Sequence, residues 1–369
     1  MNKTTSLYLD FLRVIAAFGV LLVHCNLPWF SNNMFLHQEL GHKLVMVFFV
    51  LSGFLIAYSA AGRSKSLKTY TVDRFSRLYS VVIPALIFTY AIDALGVFFN
   101  PEHYTLEIAP NNQPMRFLMN FMFIQQIWNF CTKPSSNGVF WSISYEFWYY
   151  FLFGIFFYLK GYKRILLLVI VGLFVGLKIL LLAPVWILGV VCFYYSERIK
   201  MNSKLGVVLF ISSIILLIYV SFFYHSAFTQ NVNLLGLPPL YFSTFFLFDW
   251  CYGTLVAINI LSLSSIKAPD SFYEKIPAYI SGSIRYLSSI TFTLYMFHLP
   301  LLLFVSAIIP YNKADYAHVV PLIFLVLIVV AGIASFTEKR RGFYKNALES
   351  ILAFVERNYK GLRKTKETQ

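Results

Sequence analysis

The feature that most constrains this chain is a succession of apolar runs, each about long enough to cross a bilayer, which takes about 20 residues. Ten approximate spans result: 11-29, 43-61, 80-99, 141-159, 165-178, 179-195, 205-223, 240-260, 286-307 and 320-337. Lys178 and Pro184 interrupt the 165-195 region, which can also form one bent hairpin. Because backbone polar groups in lipid must bond within their own segment, the runs predict helices. The expected fold is an all-α, polytopic integral membrane protein with about ten transmembrane helices.

Composition excludes an ordinary water-soluble domain. The 369 residues are 59% hydrophobic and 12% charged, whereas soluble domains have about 45–50% apolar and about 25% charged residues. The net charge of +14 comes without a nucleic-acid-binding motif, so no nucleic-acid partner is expected. The four cysteines form no CxxC pair and indicate neither a zinc site nor a disulfide framework.

The basic residues predict the orientation. With the N-terminus inside, 25 of the 30 Lys and Arg residues fall in segments predicted to be cytoplasmic, as the positive-inside rule requires. Both termini are therefore expected in the cytoplasm. The apolar segment 116-130 is interpreted as a re-entrant or interfacial helix on the outer face.

The chain divides into a transmembrane domain, 1-340, and a basic tail, 341-369. In the tail, apolar side chains recur at helical spacing between basic residues: Leu348, Ile351, Leu352, Val355 and Leu362. This pattern predicts an amphipathic helix on the inner leaflet.

The first span carries three polar side chains on one helical side. At about 100° per residue, Arg13 and His24 lie about 20° apart around the axis, and Asp10 lies about 60° from Arg13. The helical rise places His24 roughly 16 Å above Arg13, so Asp10 cannot orient His24 directly. Ionisable groups inside spans are costly and commonly functional. Taken alone, His24 is either an inter-helix structural histidine or a catalytic group, and Arg13 is either an anchor paired with Asp10 or part of a site.

Two other spans place polar groups at a similar predicted depth. Glu146 lies near the outer start of its span, as His24 does at the outer end of its own, and His298 lies roughly 18 Å into a later span. A carboxylate and an imidazole at one level can form an acid/base pair. The alternatives are a Glu146 bonded to Ser142 or to a tyrosine, and a structural His298.

Arg74 and Arg77 lie one turn apart just before the third span. Two guanidinium groups on one face can bind phosphates bidentately, although such residues also serve as topology anchors. His37, Glu39 and His42 lack the i, i+4 spacing of helical zinc sites, and no metal is expected.

Five segments, in chain order, resemble the motifs of the acyltransferase family 3 membrane proteins. They are Arg13 with His24 as R-x10-H, FFVLSGFLI (48-56), RFSRLYSVVIP (74-84), WSISYEFWYY (141-150) and TFTLYMFHLPLL (291-302). The chain departs from the family at Phe147, where a second acidic residue is frequent, and at Leu299, where Trp is common.

This resemblance implies transfer of an acyl group, usually acetyl from cytoplasmic acetyl-CoA, to a sugar hydroxyl of a cell-surface polysaccharide or glycolipid at a bacterial inner membrane. His24 would be the general base, with an acyl-histidine as a second route, and Glu146 would orient or relay for it. Arg74, Arg77 and Arg13 would bind the CoA phosphates. Asp10, His298, Ser142 and Trp141 would support the site. Acetyl-CoA is then a substrate, and no tightly bound cofactor is expected.

Trp29, Trp128, Trp141 and Trp148 are either sugar-stacking groups or interfacial anchors. Two other functions remain open from the sequence. A transporter or channel could use the layer formed by Arg13, His24 and Glu146, and an inactive receptor could share the fold. The acceptor sugar, the acyl group and a homo-oligomeric state are left open.

Overall fold

The apolar runs form α-helices in a computed structural model that describes residues 2–32, 36–62, 66–109, 111–196, 198–199, 201–223, 239–265 and 273–367. The helices discussed here are α1 (Lys3–His24), α2 (Gln38–Gly62), α3 (Leu67–Phe99), α4 (Pro101–Tyr104), α5 (Gln113–Phe121), α6 (Trp141–Tyr158), α7 (Gly161–Val175), α8 (Leu177–Ser196), α9 (Ser203–Phe223), α10 (Phe246–Ser265), α11 (Ala278–Ser288), α12 (Thr291–Ile308), α13 (Tyr316–Ala334) and α14 (Arg341–Glu367). No strand occurs among the described residues. The predicted all-α polytopic membrane fold is confirmed.

Local sequence signals set several helix starts. The side chain of Asn2 accepts a hydrogen bond from the Thr5 amide at 2.7 Å. Ser66 caps α3 and Asp315 caps α13 in the same manner. Each cap satisfies a backbone N–H group that has no partner within its helix. The helix α3 begins at Leu67, well before the predicted span 80-99, so Arg74 and Arg77 belong to the spanning helix itself.

The most buried candidate spans are α2 and α12. On one side α2 packs against α1 and α8, and α8 leads on to α10 and α9. On the other side α12 packs against α3 and α13. The helix α1 contacts both groups, since it packs against α2 and also against α11 and α12. It is therefore placed to bring its polar face into the space between them.

The crossing of α2 and α8 depends on two glycines. A Cβ at Gly53 would lie 2.0 Å from the Trp186 carbonyl oxygen, and a Cβ at Gly189 would lie 1.9 Å from the Val50 carbonyl oxygen. Small residues allow this backbone approach, which provides much of the packing between helices in lipid. The two glycines therefore fix the distance between these central helices.

Among the described residues, eight helices are long and apolar enough to cross a membrane, against the ten predicted spans. The predicted spans 141-159 and 165-178 correspond to α6 and α7, which do not meet this criterion. The helix α6 contains Glu146 and several Tyr and Trp side chains, which lower its apolar character, and α7 has only 15 residues. The count of ten crossings and the cytoplasmic placement of both termini stay predictions.

The uncertain region 165-195 consists of two helices separated by one residue. Gly176, at φ +80°, joins α7 to α8, and a Cβ there would lie 2.9 Å from the Trp128 side chain. The positive φ and the close indole both favour glycine. The predicted span 286-307 is likewise divided, because α11 ends at Ser288 and α12 begins at Thr291.

The segment 116-130 includes most of α5 and continues as a series of turns. Phe123 and Trp128 both have positive φ, and the Phe123 carbonyl accepts hydrogen bonds from Ser144 at 2.7 Å and Trp148 at 2.9 Å. The turns therefore enter the bundle and bind α6. This arrangement agrees with a re-entrant segment, whose side of the membrane stays a prediction.

We predict that Gly189→Ala disrupts the α2–α8 crossing. The added methyl group would meet the backbone of α2, and overpacking of this kind typically costs about 1–3 kcal/mol. Thermal unfolding of the purified protein in detergent should shift to lower temperature. Gly332→Ala in α13 is the matched control, because a Cβ there has no heavy atom within 4 Å. Equal melting temperatures for the two variants would contradict the assignment.

Candidate functional site

A cavity lies at the middle of α2 and is enclosed by α1, α3, α6 and α12. It holds about 630 Å³ of space, the opening included. The polar residues that line it are Arg13, Ser52, Arg77, Ser142, Glu146, Thr291 and Tyr295. Apolar side chains such as Phe48, Phe49 and Leu78 form the rest of the wall. Residues from five helices, distant in sequence, thus share one polar space inside an apolar bundle.

Two arginines and two carboxylates interact around this cavity. Glu146 attracts both Arg13 and Arg77, and so does Glu338, which follows α13. Glu146 accepts a hydrogen bond from Ser52 at 2.8 Å and another from the Tyr150 hydroxyl. An unpaired charge in such surroundings would be costly. The cluster therefore compensates its own charges.

The predicted proximity of Asp10 and Arg13 is realised through a third residue. Ser288, at the end of α11, donates to Asp10 Oδ1 at 2.8 Å and accepts from Arg13 at 3.4 Å. The serine bridges the two side chains and ties α1 to α11. Asp10 therefore restrains Arg13 through Ser288 of α11.

Arg74 and Arg77 do not act as one pair in the structure. Arg77 lines the cavity, whereas Arg74 donates to Ser59 at 2.6 Å and lies 5.7 Å from the centre of the Tyr70 ring. Residues three apart differ by about 60° around a helix axis, so the two side chains leave α3 in different directions. The structure brings Arg77 but not Arg74 to the cavity, and the expectation that both guanidinium groups bind the CoA phosphates stays a prediction.

His24 and His298 form a direct hydrogen bond. His24 Nδ1 lies 2.8 Å from His298 Nε2, and His298 Nδ1 lies 2.9 Å from the Leu294 carbonyl oxygen. His298 is fully buried, while His24 is partly exposed. The structure thus brings together the two predicted histidines, His24 at the C-terminal end of α1 and His298 in the middle of α12.

The Leu294 carbonyl oxygen, at one end of this series of hydrogen bonds, determines the tautomers of both histidines. Because a carbonyl oxygen only accepts, a neutral His298 carries its proton on Nδ1 and accepts through Nε2. His24 must then donate through Nδ1, which leaves the lone pair of His24 on Nε2. The arrangement supplies an imidazole nitrogen that can take up a proton from another molecule.

Tyr295 connects the cavity to the histidine pair. Its hydroxyl lies 2.8 Å from Ser142 Oγ, on the wall of the cavity, and its ring centre lies 6.2 Å from that of His298. The cavity that contains the arginines therefore adjoins the histidine pair at Tyr295. This tyrosine was not singled out from the sequence.

The structure corrects the expected relation between Glu146 and His24. Glu146 bonds Ser52 and Tyr150, and the imidazole that contacts His24 belongs to His298. Ser142 bonds Tyr295 and the Val139 carbonyl oxygen rather than Glu146. The carboxylate acts on the arginines of the cavity and has no described hydrogen bond to His24.

Two of the tryptophans singled out from the sequence are packed inside the protein. Trp141 stacks between His42 and Phe242, with ring centres 5.6 Å and 4.3 Å away. Trp148 is also buried. These two side chains are packed within the protein, which argues against their predicted use as open platforms for sugars. Trp128 remains 51% exposed.

The start of the tail binds the spanning domain. In α14, Arg341 donates to the Asp73 carbonyl oxygen at 2.8 Å and Lys345 donates to the Asp73 carboxylate at 3.1 Å. The predicted amphipathic helix is present, but its first turns lie against α3. This part of the tail therefore belongs to the surroundings of Arg77.

Several polar residues of the bundle lie outside the sequence prediction. Glu338 just follows the last predicted span, and Ser52 and Tyr150 are common residue types within apolar runs. Asp249 gave a clear signal, because it is a carboxylate inside the predicted span 240-260; it is fully buried and bonds His42 Nε2 at 3.0 Å. A search for every acidic residue inside a span would have found it.

No metal centre is visible in the part of the chain that the structure describes, where no group of three or more His, Cys, Asp or Glu side chains could hold an ion. His42 bonds Asp249 and is not part of the pair formed by His24 and His298.

Comparison with known proteins identifies one relationship. The family model described as an acyltransferase domain, that of acyltransferase family 3, matches residues 6–337. Comparisons with curated proteins and with solved structures give no match. The matched region includes all the cavity residues named above and both histidines. The chain belongs to acyltransferase family 3 and is a multi-pass membrane acyltransferase.

Proposed function

We propose that the protein transfers an acetyl group from cytoplasmic acetyl-CoA to a sugar hydroxyl, with His24 as general base. The observation that carries this proposal is the hydrogen-bond chain from His24 through His298 to the Leu294 carbonyl, which puts the His24 proton on Nδ1 and a lone pair on Nε2. The acceptor is a glycan or lipid-linked sugar outside a bacterial inner membrane. This part of the proposal rests on the family.

The donor is held by the charged end of the site. Arg13 and Arg77 line the cavity and can form charge-assisted hydrogen bonds to phosphates. Arg13 and His24 lie on one face of α1, separated by roughly 16 Å of helical rise, a distance comparable to the extended pantetheine arm. The arm would then carry the thioester from the arginines to the histidine.

In the reaction, His24 Nε2 removes the proton of the sugar hydroxyl as its oxygen attacks the thioester carbonyl. The C–O bond forms, the C–S bond breaks, and the CoA thiolate leaves and takes the proton from His24. His298 acts as a positioning residue, because it holds the His24 ring and its tautomer. Glu146 acts on Arg13 and Arg77 and keeps them in place for the donor.

A transporter is the second candidate, favoured by the polar cavity at the middle of the bundle. It would move a substrate through the space between Arg13 and Ser142 without forming an ester. The two functions differ in their product, so the first experiment follows the acetyl group.

We predict that His24→Ala abolishes ester formation. Loss of a general base typically lowers the rate by about 100-fold to 10,000-fold. Membranes that contain the variant or the wild type are incubated with labelled acetyl-CoA, and base-labile label is counted in the lipid and glycan fractions. His318→Ala is the control, since His318 is a 57% exposed side chain on α13. Equal labelling by His24→Ala and wild type would refute the assignment of the base.

We predict different effects for two replacements of His298. Gln can present an oxygen near the position of Nε2 and accept the His24 proton donor, whereas Leu cannot. His298→Gln should therefore retain at least about tenfold more transfer activity than His298→Leu, and the acidic limb of its rate–pH profile should move. If both variants lose the same activity while remaining folded, His298 serves packing alone.

We predict that the effect of Arg77→Gln depends on the phosphates of the donor. With acetyl-CoA the variant should raise KM by about tenfold or more, the loss expected for a charge-assisted hydrogen bond. With acetyl-pantetheine, which lacks the phosphates, wild type and variant should have similar KM. Lys339→Gln removes an exposed nearby charge as a control. An equal increase in KM with both donors would show that Arg77 does not bind the CoA phosphates.

A further inference from the structure

A second space lies beside the central cavity, between α3, α6 and α7. This apolar groove holds about 710 Å³, and its walls include Tyr70, Leu78, Phe147 and Ile155. Arg74 is the one charged side chain among the described residues that line it. The groove shares Leu78 with the central cavity but neither of the cavity's arginines.

The groove opens toward lipid. Leu67, Phe151 and Leu167 lie at its rim and are 39%, 41% and 38% exposed. In a bundle that spans a membrane, exposed apolar side chains at this level face hydrocarbon. Gly154 leaves room in the wall, since a Cβ there would lie 3.0 Å from the Tyr70 ring. A membrane component can therefore enter from the side.

The length of the groove fits one half of a bilayer. Along α3 it extends from Leu67 to Leu78, a rise of about 16 Å. Half of the hydrocarbon core of a bilayer measures about 15 Å. Arg74 lies about 10 Å of helical rise from Leu67 and about 6 Å from Leu78, so a lipid whose phosphate lies at Arg74 places only part of one acyl chain in the groove on the side of Leu78.

Arg74 provides an unsatisfied charged donor in this apolar wall. It is only 6% exposed, and its Nε has no hydrogen-bond partner among the described residues. The rest of the guanidinium group bonds Ser59 and lies against the Tyr70 ring. A buried donor without an acceptor is unfavourable, and an anionic oxygen is the strongest acceptor for it.

The charges around Arg74 favour an anion over a zwitterion. Arg77 and Arg341 both repel Arg74 electrostatically. The nearest carboxylate on α3, Asp73, binds Arg341 and Lys345 of the tail. Asp73 also attracts Arg74, but three basic side chains, Arg74, Arg341 and Lys345, surround this one carboxylate. They lie at the end of α3 that the sequence predicts to be cytoplasmic, where anionic lipids attract basic residues.

We propose that this groove binds an anionic phospholipid of the bilayer, with part of one acyl chain along α3 and the phosphate at Arg74. The apolar wall contributes to binding of any phospholipid chain, and Arg74 provides the preference for a negative head group. The site is separate from the proposed donor site, because Arg74 does not line the central cavity. Lipid binding is measured directly, so the outcome is independent of acyl transfer.

The test uses the purified full-length protein in nanodiscs of equal parts phosphatidylglycerol and phosphatidylcholine. The protein is re-extracted in mild detergent, and the retained lipids are quantified by mass spectrometry. Wild type should retain about fivefold more phosphatidylglycerol than phosphatidylcholine, the ratio expected for one basic residue near the membrane surface. Arg74→Gln should remove this preference. Leu167→Trp, which fills the rim, should reduce retention of both lipids.

Two variants serve as controls, and both should retain lipid as the wild type does. Arg285→Gln removes an exposed arginine on α11, and Leu166→Trp places the same large ring next to the rim but outside the groove lining. The proposal is overturned if wild type retains both lipids equally, or if Arg74→Gln keeps the preference. It is also overturned if Arg285→Gln lowers retention as much as Arg74→Gln does. Leu167→Trp tests the groove even if Arg74→Gln does not fold.

Discussion

Arg13 and Arg77 lie inside an apolar bundle, and the site depends on how their charges are compensated. Glu146 comes from α6 and Glu338 from the segment after α13, so the two carboxylates reach the arginines from different parts of the chain. Removing one partner from such a cluster would leave an uncompensated buried charge. The same charges thus bind the spanning helices to each other and form the charged end of the site.

The other end of the site is built from neutral groups. The chain of hydrogen bonds from His24 to His298 and Leu294 needs no ion pair, which suits a layer of the bundle surrounded by apolar side chains. A neutral imidazole with a free nitrogen is also the protonation state that a general base requires. The separation of charged and neutral groups along α1 therefore matches the separation between the phosphates and the thioester of the proposed donor.

Much of this arrangement could be predicted from the sequence, and the limits have clear physical causes. Helical periodicity correctly placed Arg13 and His24 on one face, because both belong to one helix. The depth argument predicted Glu146 level with His24, but Glu146 lines the cavity with Arg13 and Arg77, and Arg13 lies roughly 16 Å of helical rise from His24. Glu146 bonds Ser52 beside the arginines, while His298 faces His24. Glu338 lies far from the other cluster residues in sequence, and α7 is too short for its apolar run to define a span.

One turn of α3 separates two chemically different environments. Arg77 faces the cavity with Glu146, and Arg74 faces an apolar groove at the edge of the bundle. Tyr150 belongs to both, since its hydroxyl bonds Glu146 while its ring lines the groove. A lipid chain against this ring would restrict the tyrosine that holds Glu146, and Glu146 in turn holds the arginines. Packing thus connects the surface toward the bilayer with the charged cluster through a single side chain.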